Sequence, residues 1–283
     1  MKRIVTIQDI SCIGKCSLTV ALPILSAMGL ETAILPTAVL STHTMFQNPA
    51  FIDLTEQMTS ITDHWAKEGF DFEAIYTGYL ASARQVELVC AFLERFRKKN
   101  TLVFVDPVMG DYGRLYAGFD PSFAGKMKLL CSKADLIVPN LTEAALLTGI
   151  PYQEHPDEAW LRELLDELSP LGPRYIVLTG YSPAPDRIGV LGRDCSTGST
   201  FSYDTEKLPA SYHGTGDIFA STLLGGLEND LNLFDALKTA CDYVKDTVQA
   251  TSDNPVSRRY GVDFETTLPS LMRTMESCHS AQK

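Results

Sequence analysis

The chain has 283 residues, of which 45% are hydrophobic and 21% are charged, and its formal net charge is −11. This length suits one large domain or two small ones, and the ordinary composition excludes disordered, collagen-like and low-complexity scaffolds. An acidic surface repels phosphate backbones, so the charge argues against a general nucleic-acid binder. No apolar run approaches the roughly 18 residues of a membrane span, so we expect neither nucleic acid nor membrane as a partner.

The N-terminus and the cysteines indicate a cytoplasmic protein. Lys2 and Arg3 precede a short apolar run that ends at Gln8 and Asp9, which favours a first β-strand over a signal peptide. The seven cysteines are odd in number and scattered along the chain. Such a pattern is typical of free thiols in a reducing compartment.

The apolar pattern alternates along the chain between strand-like and helix-like spacing. In chain order it predicts a strand at 4–7, a helix at 18–28, strands at 33–35 and 74–77, a helix at 82–97, and strands at 102–105, 135–138 and 175–178. A hairpin follows over 187–203, and then helices near 218–227, 233–250 and 264–277. Strands that alternate with helices form a mostly parallel sheet covered on both faces. We therefore predict a three-layer α/β/α fold, a single domain over 1–283, with small β additions that serve as a lid.

Polar residues stand where three predicted strands end, namely Asp106, Asn140 and Thr179. The carboxyl ends of strands in an open α/β sheet border the ligand crevice, so we expect these three side chains to converge. The carboxylate of Asp106 suits hydrated magnesium or a ribose hydroxyl, and it equally suits an Asx-type turn. Glu143, in the first turn of the next helix, suits a hydrated magnesium ion, although it also favours the helix dipole without any further role.

The strongest local signal is the turn at 213–217, His-Gly-Thr-Gly-Asp, which a helical apolar run follows. Gly214 and Gly216, on either side of Thr215, allow positive φ, so backbone N–H groups and a helix N-terminus can meet an anion such as phosphate. Asp217 is either a catalytic base beside that anion or a residue that caps its own helix. The spacing fits neither a dinucleotide fingerprint nor a P-loop.

Six further polar residues lie near predicted strand ends in the N-terminal part of the chain. Taken one at a time, each is more often structural than functional, since a lone histidine is commonly a core residue and a tyrosine near a strand end is commonly packed. They are Asp9, Ser11, Thr37, His43, Thr44 and Tyr79.

Several short segments stand out by their order along the chain. They are Ile7-Gln8, Pro36-Thr37 with His43-Thr44, Thr77-Gly78-Tyr79-Leu80, Asp106-Pro107-Val108-Met109-Gly110, Pro139-Asn140-Leu141-Thr142-Glu143 and Gly214-Thr215-Gly216-Asp217. Together they resemble the pyridoxal/pyridoxine/pyridoxamine kinases of the ribokinase-like superfamily. The resemblance covers nearly the whole chain, and it rests on the order and spacing of the segments rather than on any one of them.

This resemblance implies an ATP-dependent kinase that phosphorylates the 5′-hydroxymethyl group of a B6 vitamer in vitamin salvage. It implies that Asp217 is the catalytic base and that Gly214, Thr215 and Gly216 form the anion hole. The positions near ATP are Asp106, Asn140, Glu143 and Thr179, with Mg²⁺ held by Asp106 and, through water, by Asn140 and Glu143. The substrate pocket draws on Asp9, Ser11, Thr37, His43, Thr44 and Tyr79. A homodimer and a monovalent cation such as K⁺ are also implied.

The sequence departs from the resemblance at one position of the pocket and leaves two alternatives open. Asp9 stands where these kinases carry serine, Ser11 is placed to take over that contact, and an acidic Asp9 favours a cationic amine, hence pyridoxamine. Hydroxymethylpyrimidine kinases of thiamine synthesis share the fold and the glycine turn, but many carry cysteine at the position of Asp217, and Tyr79 also favours B6. In a non-catalytic vitamer- or nucleotide-binding protein, the catalytic base or the glycine turn would be substituted. This sequence retains both.

Overall fold

Strands and helices alternate along the chain in the computed structural model, which describes residues 1–254 and 260–281. The strands are β1 (Arg3–Ser11), β2 (Glu31–Leu40), β3 (Phe51–Asp53), β4 (Ala74–Thr77), β5 (Leu102–Val105), β6 (Gly110–Asp111), β7 (Arg114–Leu115), β8 (Leu136–Ile137), β9 (Tyr175–Tyr181), β10 (Arg187–Asp194) and β11 (Ser199–Glu206). The helices are α1 (Leu18–Ala27), α2 (Thr55–Glu68), α3 (Ala83–Phe96), α4 (Phe123–Cys131), α5 (Leu141–Thr148), α6 (Glu158–Leu168), α7 (Thr215–Glu228), α8 (Leu233–Ser252) and α9 (Leu268–Ala281).

The main sheet has nine strands in the order β11-β10-β9-β8-β5-β4-β1-β2-β3. Its inner strands β9, β8, β5, β4, β1 and β2 pair in parallel. The additions β3, β10 and β11 join antiparallel at the two edges, and β6 with β7 forms a separate hairpin. The predicted mostly parallel sheet is therefore confirmed.

Each inner strand contributes side chains to two cores, because successive residues of a strand point to opposite faces. Val103 and Val105 pack beneath the layer of α2 to α6, whereas Phe104 packs beneath α1, α7, α8 and α9. A sheet covered on both faces needs strands that are apolar throughout, which explains the short unbroken apolar runs in the sequence. The three predicted layers follow from this pattern.

Some elements differ from the sequence-based prediction. β1 continues to Ser11, so Asp9 and Ser11 lie inside the strand rather than after it. The apolar pattern predicts neither β3 nor α2, α4 and α6; α2, for example, buries Met58 and little else, which leaves a weak apolar period. The predicted helix at 264–277 is divided into a 3₁₀ turn at Phe264–Thr266 and α9.

The hairpin of β10 and β11 extends the sheet and does not fold over it. β10 runs antiparallel to β9, so the turn at 195–198 lies at the end of the sheet opposite to the carboxyl ends of the parallel strands. The Cys195 amide donates to the carbonyl of Arg174, just before β9 begins. The 195–198 turn is therefore remote from that end, and a lid formed by the β additions stays a prediction. The segments at the carboxyl end include the loop at 41–50, the β6–β7 hairpin and the turn at 182–186 between β9 and β10.

The thiols and the helices of the chain bear on where the protein resides. All seven cysteines are free thiols, as their scatter along the sequence predicts. Within the described ranges, no helix combines the length and the apolar character needed to cross a bilayer.

Candidate active site

The strand ends of β4, β5, β8 and β9 lie side by side. The Asp106 amide donates to the Thr77 carbonyl at 3.0 Å, and the Thr179 amide donates to the Pro139 carbonyl at 3.0 Å. Asn140 and Thr179 form an isolated parallel bridge. The structure thus brings Asp106, Asn140 and Thr179 to one edge of the sheet, where a doubly covered parallel sheet binds its ligands.

The glycine turn leads into α7 at this same edge. Gly214 is the N-cap residue with φ +90°, and a Cβ at this position would lie 2.2 Å from the carbonyl oxygen of Lys15. Both the backbone conformation and the close contact therefore require glycine. No atom of residues 1–254 or 260–281 lies within 4 Å of the Cβ position of Gly216. No side chain caps the first turn of α7, so its N–H groups are available to an anion.

Asp217 is the third residue of α7, and its side chain does not cap the helix. The backbone amide of Ser17 instead donates a hydrogen bond to its carboxylate. Although Asp217 keeps a partly exposed surface, protein atoms surround the carboxyl, and this burial raises the pKa of Asp217 to about 7. The Ser17 amide opposes the rise in pKa, and the charge of Asp9 adds to it. A pKa near the operating pH suits a general base, so the geometry favours the base over the cap.

Ser17, just before α1, is a site residue that sequence reasoning misses. Its backbone has φ 49° and ψ −130°, a conformation that residues other than glycine rarely adopt. The amide of Ser17 contacts Asp217, and its hydroxyl bonds to the carboxylate of Asp9. Lys15 fixes the same loop through a 2.5 Å ion pair with Asp263. No local sequence pattern reveals such a serine, because contacts with distant segments impose its conformation.

Asn140 and Glu143 form a capping box at the start of α5. The Glu143 amide donates to Asn140 Oδ1 at 2.9 Å, and the Asn140 amide donates to Glu143 Oε2 at 2.9 Å. Asn140 Nδ2 donates to the Gly110 carbonyl at 2.9 Å. The side chain of Asn140 is therefore committed to holding Glu143 and the β6–β7 hairpin in place.

Asp106 lies where the charges of two other carboxyls, Glu143 and Asp217, act on it. Burial first, and then the charges of Glu143 and Asp217, raise the pKa of Asp106 well above its usual range. Burial raises the pKa of Glu143 to about 8, against the hydrogen bonds that the amides of Asn140 and Met109 donate to it. Buried carboxyls without a basic partner suit a divalent cation, since Mg²⁺ prefers oxygen ligands.

The donor set fits Mg²⁺ held through water better than Mg²⁺ ligated directly. Across 1–254 and 260–281, no group of three or more acidic, histidine or cysteine side chains could hold one ion directly. Mg²⁺ usually keeps several of its waters and binds through one or two carboxylates together with phosphates. Asp106 and Glu143 meet that requirement.

The other predicted pocket residues fall into two groups. Thr37 is buried, and its hydroxyl donates to the Tyr79 carbonyl at 3.4 Å, so it shapes the pocket through the backbone. The half-buried ring of Tyr79 packs 5.7 Å from that of Phe119. Thr44 is exposed in the loop at 41–50. Tyr79 and Thr44 are thus accessible to a ligand, while Thr37 supports them.

His43 and Ser11 are buried against the loop that precedes α1. The ring of His43 stacks on that of His213 at 4.7 Å, and a Cβ at Gly14 would lie 2.0 Å from the His43 ring. Burial, together with His43, lowers the pKa of His213 to about 4, so His213 is neutral. The Cys16 thiol donates to the Ser11 hydroxyl at 3.4 Å. His43 therefore braces the glycine turn.

The raised carboxyl pKa values predict that the ligand-free chain loses stability as the pH rises. The pKa is about 7 for Asp217 and about 8 for Glu143 in the folded chain, against ordinary values of 3.8 and 4.5. Between these limits the folded state binds more protons than the unfolded state. The contribution of these two carboxyls to the free energy of unfolding is therefore fully present below about pH 4 and is lost as the pH rises through about 8. Thermal unfolding at pH 5 to 8, without Mg²⁺ or nucleotide, measures this fall in Tm. Asp217→Asn removes one of the groups and should flatten the dependence; an equally steep fall would contradict the assignment.

A family model of phosphomethylpyrimidine kinases matches residues 24–261, which include the parallel strands from β2 onward and the glycine turn. The chain belongs to the phosphomethylpyrimidine kinase family. This match covers most of the chain, so the fold described above is that of a family member.

Solved structures of related kinases cover nearly the whole chain. A Bacteroides thetaiotaomicron protein with the provisional name phosphomethylpyrimidine kinase, solved with pyridoxal, is 39% identical, with a TM-score of 0.91 over 95% of each chain. The pyridoxal kinase of Lactobacillus plantarum is 34% identical, with a TM-score of 0.91 over 98% of this chain and 99% of that one. The Leishmania donovani pyridoxal kinase, solved with ADP and pyridoxamine, is 25% identical, with a TM-score of 0.87 over 96% of each chain. The predicted resemblance to pyridoxal kinases and the ribokinase-like fold are confirmed.

Proposed function

We propose that this family member transfers the terminal phosphoryl group of ATP to the 5′-hydroxymethyl group of a B6 vitamer. The observation that carries this function is the carboxyl of Asp217, whose pKa is raised to about 7, beside the uncapped N-terminus of α7. The relatives solved with pyridoxal, and with ADP and pyridoxamine, support the same substrates. The chain is an alcohol-accepting phosphotransferase.

Phosphoryl transfer requires positioning and charge neutralisation more than covalent chemistry. Asp217 accepts the proton of the vitamer hydroxymethyl group as the oxygen of that group attacks the γ-phosphate in line. The bond from the γ-phosphorus to the bridging oxygen breaks, and ADP leaves. The amides of Gly214, Thr215 and Gly216 and the dipole of α7 stabilise the negative charge on the transferring group. The Ser17 amide keeps the Asp217 carboxylate in position during the attack.

We place the nucleotide and its metal on the side of β5, β8 and β9. Asp106 and Glu143 would hold Mg²⁺ mainly through water, and Thr179 would border the nucleotide. Asn140 holds Glu143 in place through the capping box. When bound, Mg²⁺ neutralises phosphate charge. From the resemblance and the sequence composition we further propose a K⁺ requirement, a homodimer, a single domain over 1–283 and a cytoplasmic location.

An ADP-release assay coupled to a dehydrogenase tests the function directly. Pyridoxal, pyridoxine, pyridoxamine and hydroxymethylpyrimidine are each supplied with MgATP. We expect ADP with at least one vitamer at a kcat/KM well above that for hydroxymethylpyrimidine. The opposite ranking would assign the chain to thiamine synthesis, and binding of all four without turnover would indicate a carrier.

A further inference from the structure

Asp9 is a buried carboxylate at the edge of the candidate active site, and the role assigned to it below rests on the proposed function. Asp9 is 5% exposed. It lies in β1 where the register against β2 shifts, between Gln8 and Ile10. Such irregularities re-aim side chains next to active sites.

The groups that face Asp9 are neutral or acidic. Its carboxylate accepts hydrogen bonds from the hydroxyls of Ser17 and Ser11, and it contributes negative charge at Tyr79 and Asp217. In the part of the chain that the structure describes, no lysine or arginine forms an ion pair with it. Lys15, near in sequence, is instead paired through its ammonium with the carboxylates of Asp263 and Glu265. Burial raises the pKa of Asp9 against these hydrogen bonds, so a cation beside the carboxylate would favour its charged form further.

The position of Asp9 relative to the base defines which part of a substrate it reaches. One residue, Ser17, contacts both carboxylates, with its amide on Asp217 and its hydroxyl on Asp9. A substrate whose reacting hydroxymethyl group lies at Asp217 therefore brings a neighbouring ring substituent towards Asp9. In the B6 vitamers the substituent next to the reacting group is the one that varies. It is a hydroxymethyl group, an aldehyde or an aminomethyl group, and only the aminomethyl group carries a positive charge.

We propose that Asp9 is a specificity-determining residue that pairs with the ammonium of an aminomethyl-bearing substrate, so that the chain prefers pyridoxamine to pyridoxine and pyridoxal. The ammonium group of the substrate would be the positive partner of Asp9, since no described lysine or arginine forms an ion pair with it. Charge-assisted hydrogen bonds to a desolvated carboxylate change an equilibrium by about 10- to 100-fold, which sets the size of the preference.

Steady-state kinetics with the three vitamers test the proposal on the full chain, with Asp9→Asn and Asp9→Ser as variants. Asp9→Ser also places a serine where the resembled kinases carry one, and it serves if Asp9→Asn does not fold. We expect kcat/KM for pyridoxamine to fall by about 10- to 100-fold in both variants, while kcat/KM for pyridoxine changes by less than about threefold. Asp63→Asn is the matched control, because it removes one negative charge from the exposed ion pair between Asp63 on α2 and Arg95 on α3 and should leave the preference unchanged.

The outcomes separate the two proposals. An equal loss for all three vitamers would show that Asp9 contacts a group they share, and a wild-type chain without preference would equally overturn the inference. Calorimetric titration with pyridoxamine and with pyridoxine, in the absence of ATP, measures the same preference without turnover. If no vitamer yields ADP, the proposed function fails, and the titration alone then decides whether Asp9 selects the cation.

Discussion

Asp217→Asn should bind ATP and vitamer almost as the wild-type chain does, while kcat falls by about 10²- to 10⁴-fold. Asparagine has nearly the same shape and still accepts the hydrogen bond that the Ser17 amide donates. It cannot take the proton of the substrate alcohol, so the loss should fall on turnover rather than on binding. Coupled ADP release measures kcat, and calorimetric titration measures the two affinities.

The pH dependence of the wild-type chain provides the companion measurement. The pKa of Asp217 is about 7 in the folded chain, so kcat/KM should rise with pH as this carboxyl loses its proton and should level off above it. The residual activity of Asp217→Asn should lack that rise. Asp63→Asn, which alters an exposed ion pair between α2 and α3, should behave as wild type in both measurements. Near-normal turnover of Asp217→Asn would remove this residue as the base.

The residues at the strand ends could be predicted because local sequence determines them. The apolar run at 102–105 places Asp106 at a strand end, and the strand–helix alternation places that end beside Asn140 and Thr179. The glycine turn could be predicted in the same way, since a glycine directly before an apolar helical run marks a turn with positive φ, which Gly214 adopts. Periodicity and turn chemistry are local signals, and they sufficed for the edge of the sheet where a ligand binds.

Residues whose function depends on distant contacts escaped prediction. The strained backbone of Ser17, near the N-terminus, acquires its meaning from Asp217, which follows two hundred residues later in sequence. His43 is predicted at the substrate pocket, but its stacking on His213, across a similar sequence distance, is not. No pattern within a single segment encodes such pairs, because the fold creates them.

Gly214→Ala should destabilise the chain and disable the glycine turn at the same time. A residue other than glycine at φ +90° is strained by about 1–2 kcal/mol. The added Cβ would also lie 2.2 Å from the Lys15 carbonyl oxygen, so backbone on one side must move. The Lys15 loop carries Ser17, and the movement therefore reaches Asp217. We expect Tm to fall by several degrees. We also expect kcat to fall at least tenfold, because the turn would then misplace a group that stabilises charge in the transition state.

Gly216→Ala is the matched substitution two residues later, and it separates folding from ligand binding. Among the described residues, nothing lies within 4 Å of its Cβ position, and alanine suits the first turn of a helix. Tm should therefore stay the same or rise slightly, with up to about 1 kcal/mol of added stability. The methyl group would occupy open space at the first turn of α7, beside the amides at which the phosphate is proposed to bind. KM for ATP should therefore rise, or kcat fall, in a chain that is fully folded. Unchanged kinetics in Gly216→Ala would mean that no phosphate approaches this amide, whatever Gly214→Ala does to stability.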